Sequence, residues 1–276
     1  MTSSEPIRYF IIDAFTERPF AGNPAAVVLL SRWPRDGWLG QVAAEMNLSE
    51  TAFLVPSATG YDLRWFTPTV EVDLCGHATL ASTRALLELG QVAPGGEVRF
   101  ATRSGTLTAR VTATEIELNF PVKREQPAEP PAGLIEALGL VPRYVGRNAF
   151  DYLVEAESEA VVRSLTPDFG RLSAVACRGI IVTARSDDPA YDFVSRFFAP
   201  AAGVNEDPVT GSAHCALAAF WAPRLGKTQF RAYQASRRGG VLRVELAGER
   251  VLLGGQAVIV ARGELGVSAE DSAGGE

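Results

Sequence analysis

A motif that occurs twice constrains this chain more than any other feature of its sequence. The run RWFTP at residues 64–68 returns as RFFAP at residues 196–200, and each copy reads as a strand that ends in proline. Each is followed by a short acidic loop, a glycine and an apolar helix. The first helix is expected to end near Leu89, before Gly90, and the second near Trp221, before Pro223. The repeat predicts two halves of similar architecture.

Both predicted helices are apolar on nearly every side, the first after GHAT at residues 76–79 and the second after GSAH at residues 211–214. A helix without a polar face has to be buried all round, and the rest of the chain is rich in predicted strands. We therefore expect an α+β fold of two pseudo-symmetric halves, each a barrel-like, mostly antiparallel sheet wrapped around a central helix. By symmetry, the N-termini of the two helices would face each other.

Alternation of apolar and polar residues predicts the strands of both halves. They are expected at residues 9–14, 26–30, 52–55, 63–66, 97–101, 107–111 and 115–120, and then at residues 151–154, 179–183, 192–198, 229–233, 242–246, 250–253 and 257–261. The proline-rich run KREQPAEPPAG at residues 123–133 is the predicted linker. We therefore predict an N-terminal half at residues 1–124, a C-terminal half at residues 125–266 and a flexible tail at residues 267–276, and a terminal strand could cross between the halves.

Charge and hydropathy exclude several classes of protein. The formal net charge of −6 leaves no basic excess to neutralise phosphates, so we expect no nucleic-acid partner. No apolar run reaches the roughly 20 residues that a membrane-spanning helix needs, and residues 1–6 lack the apolar stretch of a secretory signal. Three widely spaced cysteines form no disulfide framework. The expected protein is soluble and cytoplasmic.

Rare reactive side chains are concentrated in the two repeated segments. These segments hold both histidines of the chain and two of its three cysteines: His77, His214, Cys75 and Cys215. A helix N-terminus presents unpaired N–H groups and a partial positive charge, so it can bind a carboxylate and stabilise a developing anion. Gly76 and Gly211 would let a substrate approach the backbone closely. Two such helix ends could hold a small anionic substrate, and we expect no metal and no organic cofactor.

Glu50 is the candidate base. It lies in NLSET at residues 47–51, between a helix predicted at residues 38–46 and the next strand. Partial desolvation there would raise the pKa of its carboxyl group toward the range that suits a general base. The same residues are also compatible with a surface glutamate in a turn.

Five motifs together resemble the phenazine-biosynthesis (PhzF-like) family. They are FIIDAFTERPFAGNPAAVVLL (10–30), NLSETAFL (47–54), LRWFTP (63–68), LCGHATLAS (74–82) and NEDPVTGSAHCALAAF (205–220). They follow the order of that family over nearly the whole chain. The resemblance implies a fold like that of diaminopimelate epimerase. It also implies a cofactor-free isomerase that forms a homodimer, with its active site in the cleft between the halves.

The resemblance also implies roles for single residues. Glu50 would be the acid and base that moves a proton between two carbons of a small carboxylate substrate. His77 and Asp207 would complete the catalytic group and orient the amino or hydroxyl group of the substrate. The residues implied to bind the substrate are Asn23, Gly76, Gly211 and Ser212.

Three alternatives stay open. Diaminopimelate epimerases use two cysteines, and Cys75 and Cys215 read as the matching pair, so a two-cysteine racemase or epimerase is one alternative. His77 stands where those enzymes have asparagine, which argues against it. A zinc site that includes His214 and Cys215 is disfavoured, because neighbouring helical side chains point about 100° apart. The third alternative is a non-catalytic protein that binds small ligands or acts as a scaffold. Cys177, among apolar neighbours, is expected to be a core residue.

Overall fold

The regions of alternating residues form a sheet in each of two compact units. The structure is a computed structural model that describes residues 6–269. Its first unit comprises residues 6–118 and 255–269, and its second unit comprises residues 119–254. The boundary at residue 118 lies ahead of the proline-rich linker, and the terminal strand belongs to the first unit. Residues 270–276 of the predicted tail and residues 1–5 lie outside the described residues.

The first unit contains one sheet and two helices. Its strands are β1 (Arg8–Ala14), β2 (Asn23–Leu29), β3 (Glu50–Ser57), β4 (Gly60–Phe66), β5 (Glu71–Val72), β6 (Glu97–Thr102), β7 (Gly105–Val111), β8 (Ile116–Pro121), which continues into the second unit, and the terminal strand β17 (Ala257–Glu264). Helices α1 (Asp36–Met46) and α2 (Gly76–Glu88) follow β2 and β5. The sheet order is β17–β1–β2–β3–β4–β6–β7–β8, with β5 beside β4. Only the β2–β3 and β4–β6 pairs of this sheet, among the described residues, are parallel.

The second unit repeats this topology. Its strands are β9 (Gln126–Pro127), β10 (Tyr144–Arg147), β11 (Asp151–Glu155), β12 (Gly179–Arg185), β13 (Phe193–Phe198), β14 (Gln229–Gln234), β15 (Gly240–Ala247) and β16 (Arg250–Gly255). Its helices are α3 (Leu134–Leu138), α4 (Glu159–Ser164), α5 (Phe169–Leu172) and α6 (Gly211–Leu225). Consecutive pairs from β10 to β16 are antiparallel, parallel, antiparallel, parallel, antiparallel and antiparallel. The pairs from β1 to β8 follow the same order, which confirms the predicted repeat.

Each sheet wraps around one helix. Helix α2 contacts β1, β2, β3, β7 and β17, and three of its buried hydroxyl groups donate to carbonyls four residues earlier: Thr79, Ser82 and Thr83. Helix α6 contacts β15, and its Trp221 stacks on Phe193 of β13 and donates its indole N–H to Thr183 of β12. The α+β fold with a central helix in each half is confirmed.

The opposite face of each sheet is covered by shorter helices. In the first unit, Phe53 and Val55 of β3 pack with α1, whereas the intervening Leu54 points to the other side. In the second unit, Ile180 and Val182 of β12 pack with α3, α4 and α5. No helix within residues 6–269 is both long enough and apolar enough to cross a membrane.

The predicted end of α6 was wrong. The helix passes Pro223 and ends at Leu225, where Gly226 adopts a left-handed conformation with φ of 64°. An interior proline loses its N–H donor and crowds the carbonyl four residues earlier, but Pro223 stands only two residues before the helix ends, where this affects a single turn. The Arg224 side chain donates a hydrogen bond to the Phe220 carbonyl in that turn at 2.8 Å. Helices α3, α4 and α5 were missed, because four to six residues are too few to show a helical period. The predicted stop of α2 before Gly90, by contrast, is confirmed.

Candidate active site

Three element ends bring the predicted catalytic residues of the first unit together. Helix α1 ends at Asn47, whose left-handed conformation (φ 50°) turns the chain toward β3. Glu50 is the first residue of β3 and pairs with Ala25 of the parallel strand β2. Because parallel strands begin at the same edge of a sheet, Glu50 lies near Asn23, the first residue of β2. The N-terminus of α2, capped by Cys75, meets this edge.

His77 is the centre of this cluster. Its Nε2 lies 3.2 Å from Glu50 Oε2, a close approach rather than a well-aligned hydrogen bond. Its Nδ1 lies 3.1 Å from the Asn23 side-chain nitrogen and 3.5 Å from Cys75 Sγ. An amide nitrogen can only donate, so Nδ1 accepts and the ring proton resides on Nε2. The His77 N–H is therefore on the side of the Glu50 carboxylate.

Burial determines the charge of the His77 ring. The side chain is almost fully buried, which lowers the pKa of His77 to about 3. The ring is therefore neutral at physiological pH and presents an uncharged Nε2–H to Glu50, not a cation. The Glu50 side chain is 19% exposed, whereas its Oε2 atom, which faces His77, is buried, so the carboxylate is partly desolvated.

Asn23, which the family resemblance implied as a substrate ligand, lies beside His77. It is fully buried, and its amide nitrogen lies 3.1 Å from the imidazole Nδ1 of His77. Gly22 before it has a φ of +65°, and a Cβ there would lie 2.2 Å from the Ala14 carbonyl oxygen. Only glycine fits this turn, which directs Asn23 toward His77.

A metal could in principle be held by Glu50, Cys75 and His77, whose potential ligand atoms lie within 4.8 Å of one another. The contacts argue against this. The Cys75 thiol approaches Nδ1 of the ring, whereas the Glu50 carboxylate approaches Nε2. A single ion can bind only one of these nitrogens, and they point in different directions. The geometry fits a hydrogen-bonded group better than a metal centre.

In the second unit, the predicted Asp207 is held by the loop that precedes α6. Thr210, the N-cap residue of α6, donates its hydroxyl to Asp207 Oδ2 at 2.5 Å. The buried Gln234 of β14 receives the Thr210 backbone N–H at 2.8 Å and donates to the Asp207 carbonyl at 2.7 Å. His214 Nδ1 donates to the Thr210 carbonyl at 2.8 Å. The loop is therefore fixed by three side chains that sequence reasoning assigned no such role.

One signal for this network was present in the sequence. Gln234 stands two residues after Ala232 and four after Phe230, so alternation places a polar amide on the buried side of β14. A buried amide needs partners for both of its ends, and the loop around Thr210 supplies them.

A further feature repeats in both units. Arg64 of β4 binds Glu71 through two hydrogen bonds of 2.7 and 2.6 Å. Arg196 of β13 binds Glu206 in the same way, at 2.7 and 2.9 Å. The arginine of each RWFTP-like motif thus holds the loop that leads into the central helix. The repeat was recognised from the sequence, but these two ion pairs were not.

The other two predicted donors lie at the start of α6. Gly211 is its first residue and is buried, and Ser212 follows and is half-buried. The Ser212 hydroxyl accepts a hydrogen bond of 3.0 Å from Arg178, and Arg178 also forms a two-point ion pair with the buried Asp151. Gly76, the equivalent residue of α2, is half-buried.

The thiols do not occupy equivalent positions. Cys75 caps α2, but the residue that caps α6 is Thr210, and Cys215 lies within the helix. Burial raises the pKa of the Cys215 thiol to about 12, so it stays protonated. The two-cysteine alternative therefore loses the symmetry on which it rested. Cys177 is half-buried against the core of the second unit, and burial also raises the pKa of its thiol.

Comparison with known proteins extends over nearly the whole chain. Residues 12–263 match the family model described as phenazine biosynthesis-like protein. A curated relative from Halalkalibacterium halodurans, named an uncharacterised isomerase, is 54% identical over 259 residues, which cover 93% of this chain and 97% of the relative.

Solved structures agree with this assignment. A crystal structure of a PhzF-family phenazine biosynthesis protein from Enterococcus faecalis has a TM-score of 0.90 and 41% identity, covering 95% of this chain and 100% of that one. A predicted epimerase from Pseudomonas aeruginosa, at 23% identity and a TM-score of 0.72 over 95% of this chain and 100% of that one, shares the fold. The chain belongs to the phenazine biosynthesis-like family and is an enzyme of the isomerase class.

Proposed function

We propose that this enzyme moves a proton between two carbons of a small carboxylate substrate, with Glu50 as acid and base and without a cofactor. The observation that carries the proposal is the partly exposed Glu50 side chain, whose Oε2 lies 3.2 Å from the buried His77 Nε2. A carboxylate in this position can take a proton from carbon and return it, because it is partly desolvated but open to a ligand.

The proposed reaction balances without a redox step. A C–H bond of the substrate breaks, the Glu50 carboxylate gains the proton, and the electron pair stays on the substrate as a delocalised carbanion. The protonated Glu50 then gives the proton to a different carbon of the same molecule. Neutral His77 supports the ionised form of Glu50 by directing its Nε2–H at the carboxylate.

The remaining residues keep the roles that the family resemblance implies. Asp207 would orient an amino or hydroxyl group of the substrate, and its fixed hydrogen bond from Thr210 supports this role. Backbone N–H groups at Gly76 and Gly211, with the Ser212 hydroxyl, would bind the carboxylate and the developing charge. Asn23 contacts the His77 ring, and its role as a substrate ligand stays a prediction.

The test replaces the base and preserves its shape. We expect Glu50→Gln to reduce proton exchange by several powers of ten, because an amide cannot accept the proton. The measurement is NMR detection of deuterium entering C–H positions of cyclic and amino-acid carboxylates in heavy water. Glu129→Gln, at an exposed position, is the matched control and should retain full exchange. Near-full exchange in Glu50→Gln together with its loss in Cys75→Ser would contradict the proposal and assign the chemistry to a thiol.

A further inference from the structure

A pair of cations in the second unit lies beside the residues proposed to bind the substrate carboxylate. The Lys123 Nζ lies 4.3 Å from the ring centre of Phe150, and the Arg178 guanidinium lies 5.4 Å from the same ring. Arg178 also donates to Ser212 at 3.0 Å. The two positive charges therefore share the Phe150 ring, and Arg178 links this cluster to Ser212 at the start of α6.

The charges of this cluster do not cancel. Asp151 neutralises Arg178, to which it is bound at two points. Among the described residues, no carboxylate forms an ion pair with Lys123. Lys123 is nevertheless half-buried, and burial, followed by the neighbouring Arg178, lowers the pKa of its ammonium group. Two cations and one carboxylate leave one positive charge in excess, in a place where water screens it incompletely.

The cluster is also open to a ligand. Phe150 is 49% exposed, and the Arg178 side chain is 38% exposed despite its ion pair. Large exposed aromatic rings and uncompensated, partly desolvated cations are both costly for a surface that only faces water. A bound anion would offset the excess charge of Lys123 and shield the ring.

We propose that Lys123 and Arg178, beside Ser212, bind the carboxylate of the substrate and make the enzyme select anions over neutral analogues. The inference rests on the proposed function, because it assigns the carboxylate of that substrate to these side chains. Charge-assisted hydrogen bonds are roughly twice as strong as neutral ones, so the two cations add discrimination that backbone N–H groups alone do not provide.

The composition of the chain permits a direct test. Its lysines are Lys123 and Lys227, and Lys227 is paired with Asp192 at 2.6 Å. Reductive methylation with ¹³C-formaldehyde therefore labels Lys123, one internal control and the N-terminus, and it retains the positive charges. We expect 4-fluorobenzoate to shift the Lys123 resonance with saturation and to leave Lys227 unmoved. The uncharged 4-fluorobenzamide should shift neither.

Variants complete the test. Lys123→Met should weaken 4-fluorobenzoate binding, followed by ¹⁹F NMR, at least about tenfold, because the excess charge is gone. The double variant Arg178→Gln, Asp151→Asn removes the guanidinium donor without leaving a buried carboxylate unpaired and keeps the net charge of the cluster, so we expect it to weaken binding less than Lys123→Met, through the lost charge-assisted hydrogen bond alone. Lys227→Met is the matched control and should bind normally. Equal shifts with the benzamide, or unchanged binding in both cation variants, would overturn the proposal. Deuterium exchange in Glu50→Gln tests the proposed base, whereas 4-fluorobenzoate binding to the lysine and arginine variants tests this inference, so the two failures are separable.

Discussion

The two histidines of this chain hold their single protons on opposite ring nitrogens. His77 accepts at Nδ1 from Asn23, so its proton is on Nε2. His214 donates from Nδ1 to the Thr210 carbonyl, so its proton is on Nδ1. Both rings are buried, which lowers the pKa of His77 to about 3 and that of His214 to about 4.

These contacts predict the imidazole NMR spectrum. Long-range ¹H–¹⁵N correlation should show one Nε2–H and one Nδ1–H tautomer, and neither ring should titrate between pH 5 and 8. His214→Asn assigns the two sets of signals, because Asn retains a donor near the Nδ1 position. A His77 signal that titrates near pH 6.5 would contradict the neutral role given to this ring beside Glu50.

At the scale of residues, the sequence identified the participants but not their contacts. Glu50 and His77 could be found because each stands in a motif and histidine is rare in this chain. The role of Asn23 could not be found, because it depends on the parallel alignment of β2 and β3 and on the turn at Gly22. Such long-range register leaves no trace in a single sequence.

The loop that leads into α6 is the element on which Asp207 depends. The Thr210 hydroxyl donates a hydrogen bond to Asp207, and the Gln234 amide nitrogen donates to the oxygen of the same hydroxyl at 3.3 Å. A hydroxyl has one proton, and an amide nitrogen only donates, so this chain of hydrogen bonds has one direction and ends on the carboxylate. The arrangement holds Asp207 Oδ2 as an acceptor.

Removal of this hydroxyl should therefore reduce catalysis as well as stability. A hydrogen bond to a charged group contributes about 1.5–3 kcal/mol, so we expect Thr210→Val to lower the rate of proton exchange roughly ten- to hundredfold. Thr210→Ser retains the hydroxyl and should restore most of the rate. The measurement is kcat and KM for any carboxylate that undergoes exchange, with thermal unfolding as a check of the fold. Equal rates of proton exchange in the Val and Ser variants would mean that the Thr210 hydroxyl does not position Asp207 for catalysis.

At the scale of elements, most strands and the end of α2 were predictable, but the end of α6 was not. Alternation in β6, β8 and β14 reflects burial on the two faces of a sheet, a local property. The end of α6 depends instead on Gly226 beyond a proline, where the residues alone favour an earlier stop. Cys75 and Thr210 are the N-cap residues of α2 and α6 and therefore hold equivalent positions, whereas Cys215 does not. This equivalence became visible only once the first residue of each helix was known.

At the scale of the whole molecule, each unit holds one buried neutral histidine: His77 in the first and His214 in the second. Burial lowers both pKa values below the value of about 6.5 expected in the unfolded chain. Below that pH the unfolded chain binds two protons that the folded chain does not. The stabilising effect is therefore complete above pH 6.5 and is lost as the pH falls toward 4 and then 3.

This linkage predicts that the free energy of unfolding falls with decreasing pH before the carboxylates begin to titrate. Integrating two protons between pH 7 and pH 5 gives a loss of about 4 kcal/mol in the free energy of unfolding, summed over both units. Urea unfolding at the two pH values measures it, whether the units unfold in one step or two. His214→Asn should reduce the loss to about half, because only His77 then remains linked to unfolding. A loss below about 1 kcal/mol in the chain without substitutions would mean that the folded state protonates its histidines as readily as the unfolded state does. The assignment of a neutral His77 beside Glu50 would then be wrong.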